Sequence, residues 1–136
     1  PSKNICNVFY NYKYDNKKKL LEFSKNCDFI TYEFENIPAN SLKLLEDNKN
    51  IYPNINTLKV SQDRYLEKKF INSLGIRTSE YKKISTLSDV EIFLKNNSRK
   101  GIIKTRKLGY DGKGQFKVEL KSIKNLKIPI KISWNK

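Results

Sequence analysis

Residues 101–118 read GIIKTRKLGYDGKGQFKV, and the chain is best read outward from them. The apolar pair Ile102 and Ile103 leads into Lys104. Alternation resumes at Phe116, Val118 and Leu120. Between them lie Gly109, Tyr110, Asp111, Gly112, Lys113, Gly114 and Gln115. The pattern is strand, glycine-rich loop, strand. Glycines without Cβ atoms let backbone N–H groups turn inward at positive φ and close over an anion. Lys104, at the end of the incoming strand, adds a point charge to the same anion. A phosphate-holding hairpin is one reading of this spacing, and an ordinary hairpin with a glycine turn is the other.

The known nucleotide loops narrow the choice. A Walker loop needs Lys and then Ser or Thr after its last glycine, followed by a helix, but here Gln115 and Phe116 follow Gly114. The pattern G-x-G-x-x-G fails as well, because Lys117 stands where the third glycine belongs. The full string is more specific. Lys104-Thr105-Arg106 followed by GYDGKGQ resembles the phosphate loop of the 5-(carboxyamino)imidazole ribonucleotide synthases, ATP-grasp enzymes of purine biosynthesis. Two more stretches agree in order. Residues 31–38, TYEFENIP, resemble that family's TYEFEN-x-P segment. Gln62-Asp63-Arg64, then Glu67-Lys68, Phe70 and Leu74-Gly75-Ile76, resemble its QDR-x-x-EK-x-F-x-x-x-LGI segment.

Composition sets the outer limits. The chain has 136 residues, 38% hydrophobic and 31% charged, enough for one domain or two small lobes. No apolar run reaches eighteen residues, so no membrane helix is expected. There is no histidine, and Cys6 and Cys27 lack metal-ligand spacing, which argues against a zinc site and for free thiols. No signal peptide is visible, and a cytoplasmic protein is expected. The chain has no Met, so it is expected to begin inside a longer protein. Its net charge of +14 comes from 28 Lys+Arg against 14 Asp+Glu. Most of that excess is Lys scattered along the chain, with one run at Lys17-Lys18-Lys19 and no interleaved aromatics. This fits a codon bias better than a nucleic-acid face.

Taken in order, residues 1–14 read as an irregular lead-in. Asp15 or Asn16 caps a helix over 17–25, with Leu20, Leu21 and Phe23 toward the core. Residues 28–34 read as a strand, and Pro38 opens a short amphipathic helix carrying Leu42, Leu44 and Leu45 that ends near Asn48. Ile51-Tyr52 is a brief strand stopped by Pro53. Residues 54–74 are mainly helical, with Asp63 as N-cap of the second part, Leu66, Phe70 and Leu74 on one face, and Gly75 as the stop. By helical spacing alone Arg64 and Lys68 form a solvated face. A strand around 81–84 follows. Next comes a helix with Leu87, Val90, Phe93 and Leu94 apolar, where Thr86 and Asp89 have capping-box spacing. After Leu120, alternation at Leu126, Ile128, Ile130, Ile132 and Trp134, with Pro129 outward, reads as an edge strand.

The fold class is therefore α/β: part of a parallel-sheet pre-ATP-grasp domain (1–60), a connecting helix (61–76), and the start of an ATP-grasp small lobe with its phosphate loop (77–136). The resemblance implies an ATP-dependent carbon–nitrogen ligase with ATP, bicarbonate and aminoimidazole ribonucleotide as substrates, Mg2+ as cofactor, and a homodimer. It implies that Arg64, Lys104 and Gly109, Tyr110, Asp111, Gly112, Lys113, Gly114 and Gln115 contact ATP. It also implies that Glu33 lies near the ribonucleotide, and that Tyr110 and Asp111 reach the imidazole and serve catalysis. Glu33 and Glu35 read from composition alone as solvated carboxylates at a strand end. After Glu119 there is no acidic residue. The metal ligands are therefore expected outside this chain, and the isolated chain is expected to be inactive. Two alternatives stand beside this reading. One is another ATP-grasp carboxylase. The other is a basic nucleic-acid-binding module, whose affinity would fall steeply with salt.

Overall fold

The computed structural model describes residues 2–46, 50–109 and 114–125. They form two compact units, Pro1–Gln62 and Asp63–Lys136.

The first unit is a small parallel α/β layer. Helix α1 (Lys17–Lys25) starts where the Asn16 side chain accepts the Lys19 N–H at 3.1 Å. Strand β1 (Phe29–Thr31) pairs in parallel with β2 (Asn50–Tyr52), with Ile30 opposite Ile51. Helix α2 (Ala39–Glu46) lies between them in sequence and helix α3 (Ile55–Ser61) follows. The core is built from Ile30, Ile37, Leu42, Leu45, Ile51, Ile55 and Leu58. Leu20, Phe23 and Tyr32 pack against it, whereas Leu21, expected inside, is exposed. A nine-residue helix on one side of a layer buries only the stripe that Leu20 and Phe23 define. The strand expected over 28–34 stops at Thr31, because it has only three paired positions on β2. Beyond it the chain is held differently. Gln62, just after α3, donates its Nε2 to the carbonyls of Glu35 at 2.7 Å and Ile37 at 2.6 Å.

The second unit starts with helix α4 (Arg64–Ser73), capped by Asp63 as expected. It ends at Gly75, whose φ of 79° permits the backbone bond from Ile76 N–H to Ile71 O. The expected apolar stripe is present but not buried: Leu66, Phe70 and Leu74 are all exposed. Residues 81–84 form no strand, since among the described residues the sheet of this unit has two strands and neither pairs with them. They are held instead by side chains: Tyr81 meets Tyr65 edge-on and Ile84 packs on the core.

Helix α5 (Leu87–Asn96) opens with the expected capping box, the Thr86 hydroxyl accepting from Asp89 N–H while the Asp89 carboxylate accepts from Thr86 N–H. Thr86→Ala is expected to lower stability by about 1 kcal/mol, seen as a lower denaturation midpoint. An unchanged midpoint would show that the cap contributes nothing. Leu87 sits outside the buried stripe, while Val90 and Leu94 pack onto the antiparallel hairpin of β3 (Lys100–Lys104) and β4 (Gln115–Glu119). The core is completed by Ile103, Val118 and Ile123. Alternation stops at Glu119, and Leu120–Asn125 winds into a 3-10 helix. The edge strand expected at 126–134 lies outside the described residues.

Candidate functional site

The site forms at the open end of the β3–β4 hairpin, where the first turn of α4 meets it. The ladder pairs Lys104 with Gln115, and one further bond, Thr105 N–H to Gly114 O at 3.1 Å, extends it into the loop. Arg106 then turns toward α4. Its guanidinium donates Nε to Asp63 Oδ1 at 3.0 Å and Nη2 to Asp63 Oδ2, a two-pronged pairing. The Arg106 carbonyl accepts the Arg64 N–H at 3.0 Å. Arg64 in turn donates Nη2 to the carbonyl of Gly109. Three links therefore tie residues 106–109 to the first turn of α4.

Asp63 is the centre of this arrangement. It is 2% exposed, yet Oδ1 also accepts from Tyr65 N–H at 3.0 Å and Leu66 N–H at 3.4 Å. Burial pushes its carboxyl upward, but the Arg106 guanidinium and the two helix N–H groups outweigh burial and hold it below the usual carboxylate value. It is therefore ionised at neutral pH. Because the shift is downward, its contribution to stability is present above the ordinary carboxylate range and is lost as pH falls through the folded value.

Leu108 lies between the two anchored positions with φ 58°, a left-handed conformation that costs an L residue about 1–2 kcal/mol. The links on either side hold it there. An aromatic layer backs the site. The Arg106 guanidinium lies 5.5 Å from the Tyr65 ring centroid, and Tyr65 meets Tyr81 edge-on at 5.7 Å. Lys68 bonds Ser79 Oγ at 2.6 Å and lies over Tyr81. Arg64 and Lys68 are thus half-buried and bonded, not the solvated face that helical spacing alone gives.

The structure brings Arg64, Lys104, Gly109, Gly114 and Gln115 to one end of this unit. Lys104 is exposed as the last residue of β3, and Gly114 has φ 70°. Tyr110, Asp111, Gly112 and Lys113 lie outside the described residues. Glu33 and Glu35 are exposed in the first unit, beyond the carboxyl end of β1. Sequence reasoning missed the pairing of Asp63 with Arg106. Each residue lay in a quoted motif, but no local pattern joins positions 43 apart in the chain. Gln62, to which no local pattern gives a role, fastens the segment after β1.

The comparisons agree with this architecture. Residues 1–62 match the ribonucleotide synthetase preATP-grasp domain and residues 69–130 match the ATP-grasp domain. That order of domains places the chain among the ATP-grasp ribonucleotide synthetases. Within that class its relatives carry the name N5-carboxyaminoimidazole ribonucleotide synthase. It is 36% identical over 118 residues to the enzyme of that name from Brucella melitensis, covering 87% of this chain and 33% of the relative. The Staphylococcus aureus N5-carboxyaminoimidazole synthetase, solved with ADP, superposes with a TM-score of 0.79 at 34% identity, over 90% of this chain and 35% of that one. The Thermus thermophilus synthetase gives 0.71 at 31% identity, over 85% and 32%. The chain therefore spans about a third of the length of these relatives.

Proposed function

We propose that this chain is the part of an N5-carboxyaminoimidazole ribonucleotide synthase that carries the phosphate-holding loop. The whole protein would be an ATP-dependent carbon–nitrogen ligase. One observation carries the reading: the glycine-flanked loop at the open end of β3–β4 is fastened to an α4 turn that presents Arg64. The S. aureus relative was solved with ADP, which supports nucleotide binding by the whole protein.

In this reading a bicarbonate oxygen attacks the γ-phosphorus of ATP, the bond to the β-phosphate oxygen breaks, and ADP leaves with carboxyphosphate formed. The exocyclic amine of aminoimidazole ribonucleotide then attacks the carboxyl carbon. Inorganic phosphate departs and the amine loses a proton. Lys104 supplies a point charge to the phosphates. A guanidinium has five N–H donors, so the bond from Arg64 to Gly109 leaves others for phosphate oxygens. Backbone N–H groups between Gly109 and Gln115 are assigned to the same oxygens, and Gln115 stands at the start of β4. Asp111 lies in a loop built for anions, where a carboxylate would repel phosphate. It is assigned to the amine of the imidazole substrate, with Tyr110 beside it and Glu33 near the ribonucleotide.

Magnesium belongs to the proposal because phosphoryl transfer needs charge neutralised across the β- and γ-oxygens. Among the described residues no group of three His, Cys, Asp or Glu side chains is placed to hold a metal ion. Arg64 and Lys104 are cations, which suits them to phosphate oxygens and not to a metal ion. A homodimeric, cytoplasmic enzyme completes the reading. No helix among the described residues is long and apolar enough to cross a membrane.

The test is ADP release by the complete protein. Release is expected to require both bicarbonate and aminoimidazole ribonucleotide. ADP formation indifferent to the ribonucleotide, or driven by another acceptor amine, would overturn the assignment.

A further inference from the structure

We infer that Asp63 and Arg106 are positioning residues that set the base of the glycine loop for ATP before any nucleotide arrives. This deepens the proposed function and rests on the loop being an ATP site.

Asp63 holds two elements at once. Through Oδ1 it caps α4 and so fixes the turn that bears Arg64. Through both oxygens it grips Arg106, two residues beyond the end of β3 and hence beyond Lys104. One buried carboxylate therefore links the two cations assigned to the phosphates, although it touches neither phosphate-facing group. Were its negative charge aimed at the ligand, it would oppose ATP. Here it is 2% exposed and taken up by Arg106 and helix N–H groups. The left-handed Leu108 lies between Arg106 and Gly109, the two anchored positions. A loop entry strained in this way stays ordered only while both anchors hold. Ordering the entry in the free protein lowers the cost of ordering the loop on binding.

A structural cap alone would show itself in stability. A positioning role shows itself in nucleotide affinity. Asp63→Asn keeps an oxygen that can accept from Tyr65 and Leu66 but loses the charge and the second acceptor for Arg106. Arg106→Gln removes the grip from the other side, at a side chain that is 43% exposed and so less critical for folding. In the complete protein each variant is expected to raise the KM for ATP about tenfold, the equivalent of one charge-assisted hydrogen bond, with kcat at saturating ATP near wild type. Arg106→Lys, which keeps the charge without the fork, is expected to recover part of that loss. The double variant is expected to be no worse than either single, since the pair acts as one unit. Amide hydrogen exchange without nucleotide is expected to speed up at residues 107–109 and not at 101–103.

Wild-type KM for ATP in both single variants, or losses that multiply in the double variant, would overturn the inference. A lower melting temperature with unchanged KM would reduce Asp63 to a cap and overturn it as well. The exchange arm separates this failure from failure of the functional reading. If wild-type protein shows no ATP-dependent activity, the reading falls, while faster exchange in Asp63→Asn still establishes the fastening of the loop. Unchanged exchange in both variants refutes the fastening whatever the ligand is.

Discussion

Gly114→Val is expected to abolish measurable ATP binding while leaving the first unit intact. Gly114 has φ 70°, and a Cβ there would stand 2.9 Å from both Cγ2 and Oγ1 of Thr105. Neither neighbour gives way easily, because the Thr105 N–H is committed to the Gly114 carbonyl. A left-handed backbone costs an L residue about 1–2 kcal/mol, more when it is β-branched, and overpacking adds roughly 1–3 kcal/mol. About 3 kcal/mol placed on the loop's exit corresponds to a hundredfold or greater loss of affinity. Calorimetric titration of the complete protein with ATP reads the effect. Gly114→Ala is expected to lose less, and adding Thr105→Ala is expected to return the part due to crowding but not the part due to φ. Affinity within a factor of a few of wild type in Gly114→Val would remove this glycine from the site.

How far the sequence announces this site depends on the range of the interactions. The hairpin was legible because its alternation and its glycines are local: Ile103 and Val118 point inward as the period of two requires, and Gly114 takes the positive φ expected of it. The caps at Asn16, Asp63 and Thr86 were legible for the same reason, since each needs only three or four residues of context. The strand expected at 81–84 is absent because β pairing needs a partner elsewhere, and local composition cannot say that none lies in reach among the described residues. The stripe Leu66, Phe70 and Leu74 shows the same limit. Periodicity finds an apolar face but not what covers it, and among the described residues the face is exposed. Asp63 is the clearest case. Its role as a cap could be read from four letters. Its burial and its grip on Arg106 depend on how the chain returns 43 residues later.

Lys104→Ala and Arg64→Ala are expected to separate charge from architecture in the same site. Lys104 ends β3 as an exposed side chain, so its removal leaves the hairpin ladder and the core residue Ile103 untouched. Its loss is one charge-assisted partner of a phosphate, about 1.5–3 kcal/mol, and ATP affinity is expected to fall about ten- to a hundredfold. Melting temperature is expected to stay within a degree or two. An exposed charge is also screened, so the gap between Lys104→Ala and wild type is expected to narrow as salt rises. Arg64 differs because its Nη2 also holds the Gly109 carbonyl. Arg64→Ala removes the phosphate partner and frees the loop entry together, so its loss of affinity is expected to exceed that of Lys104→Ala. Arg64→Lys keeps the charge but cannot reproduce a planar fork that serves a carbonyl and a phosphate at once, and is expected to fall between the two. Titrations of the three variants at two salt concentrations give the ranking. If Arg64→Ala binds ATP as tightly as wild type, the loop is fastened for some purpose other than holding phosphate. If Lys104→Ala alone is silent, the point charge must come from elsewhere and the end of β3 is only a frame.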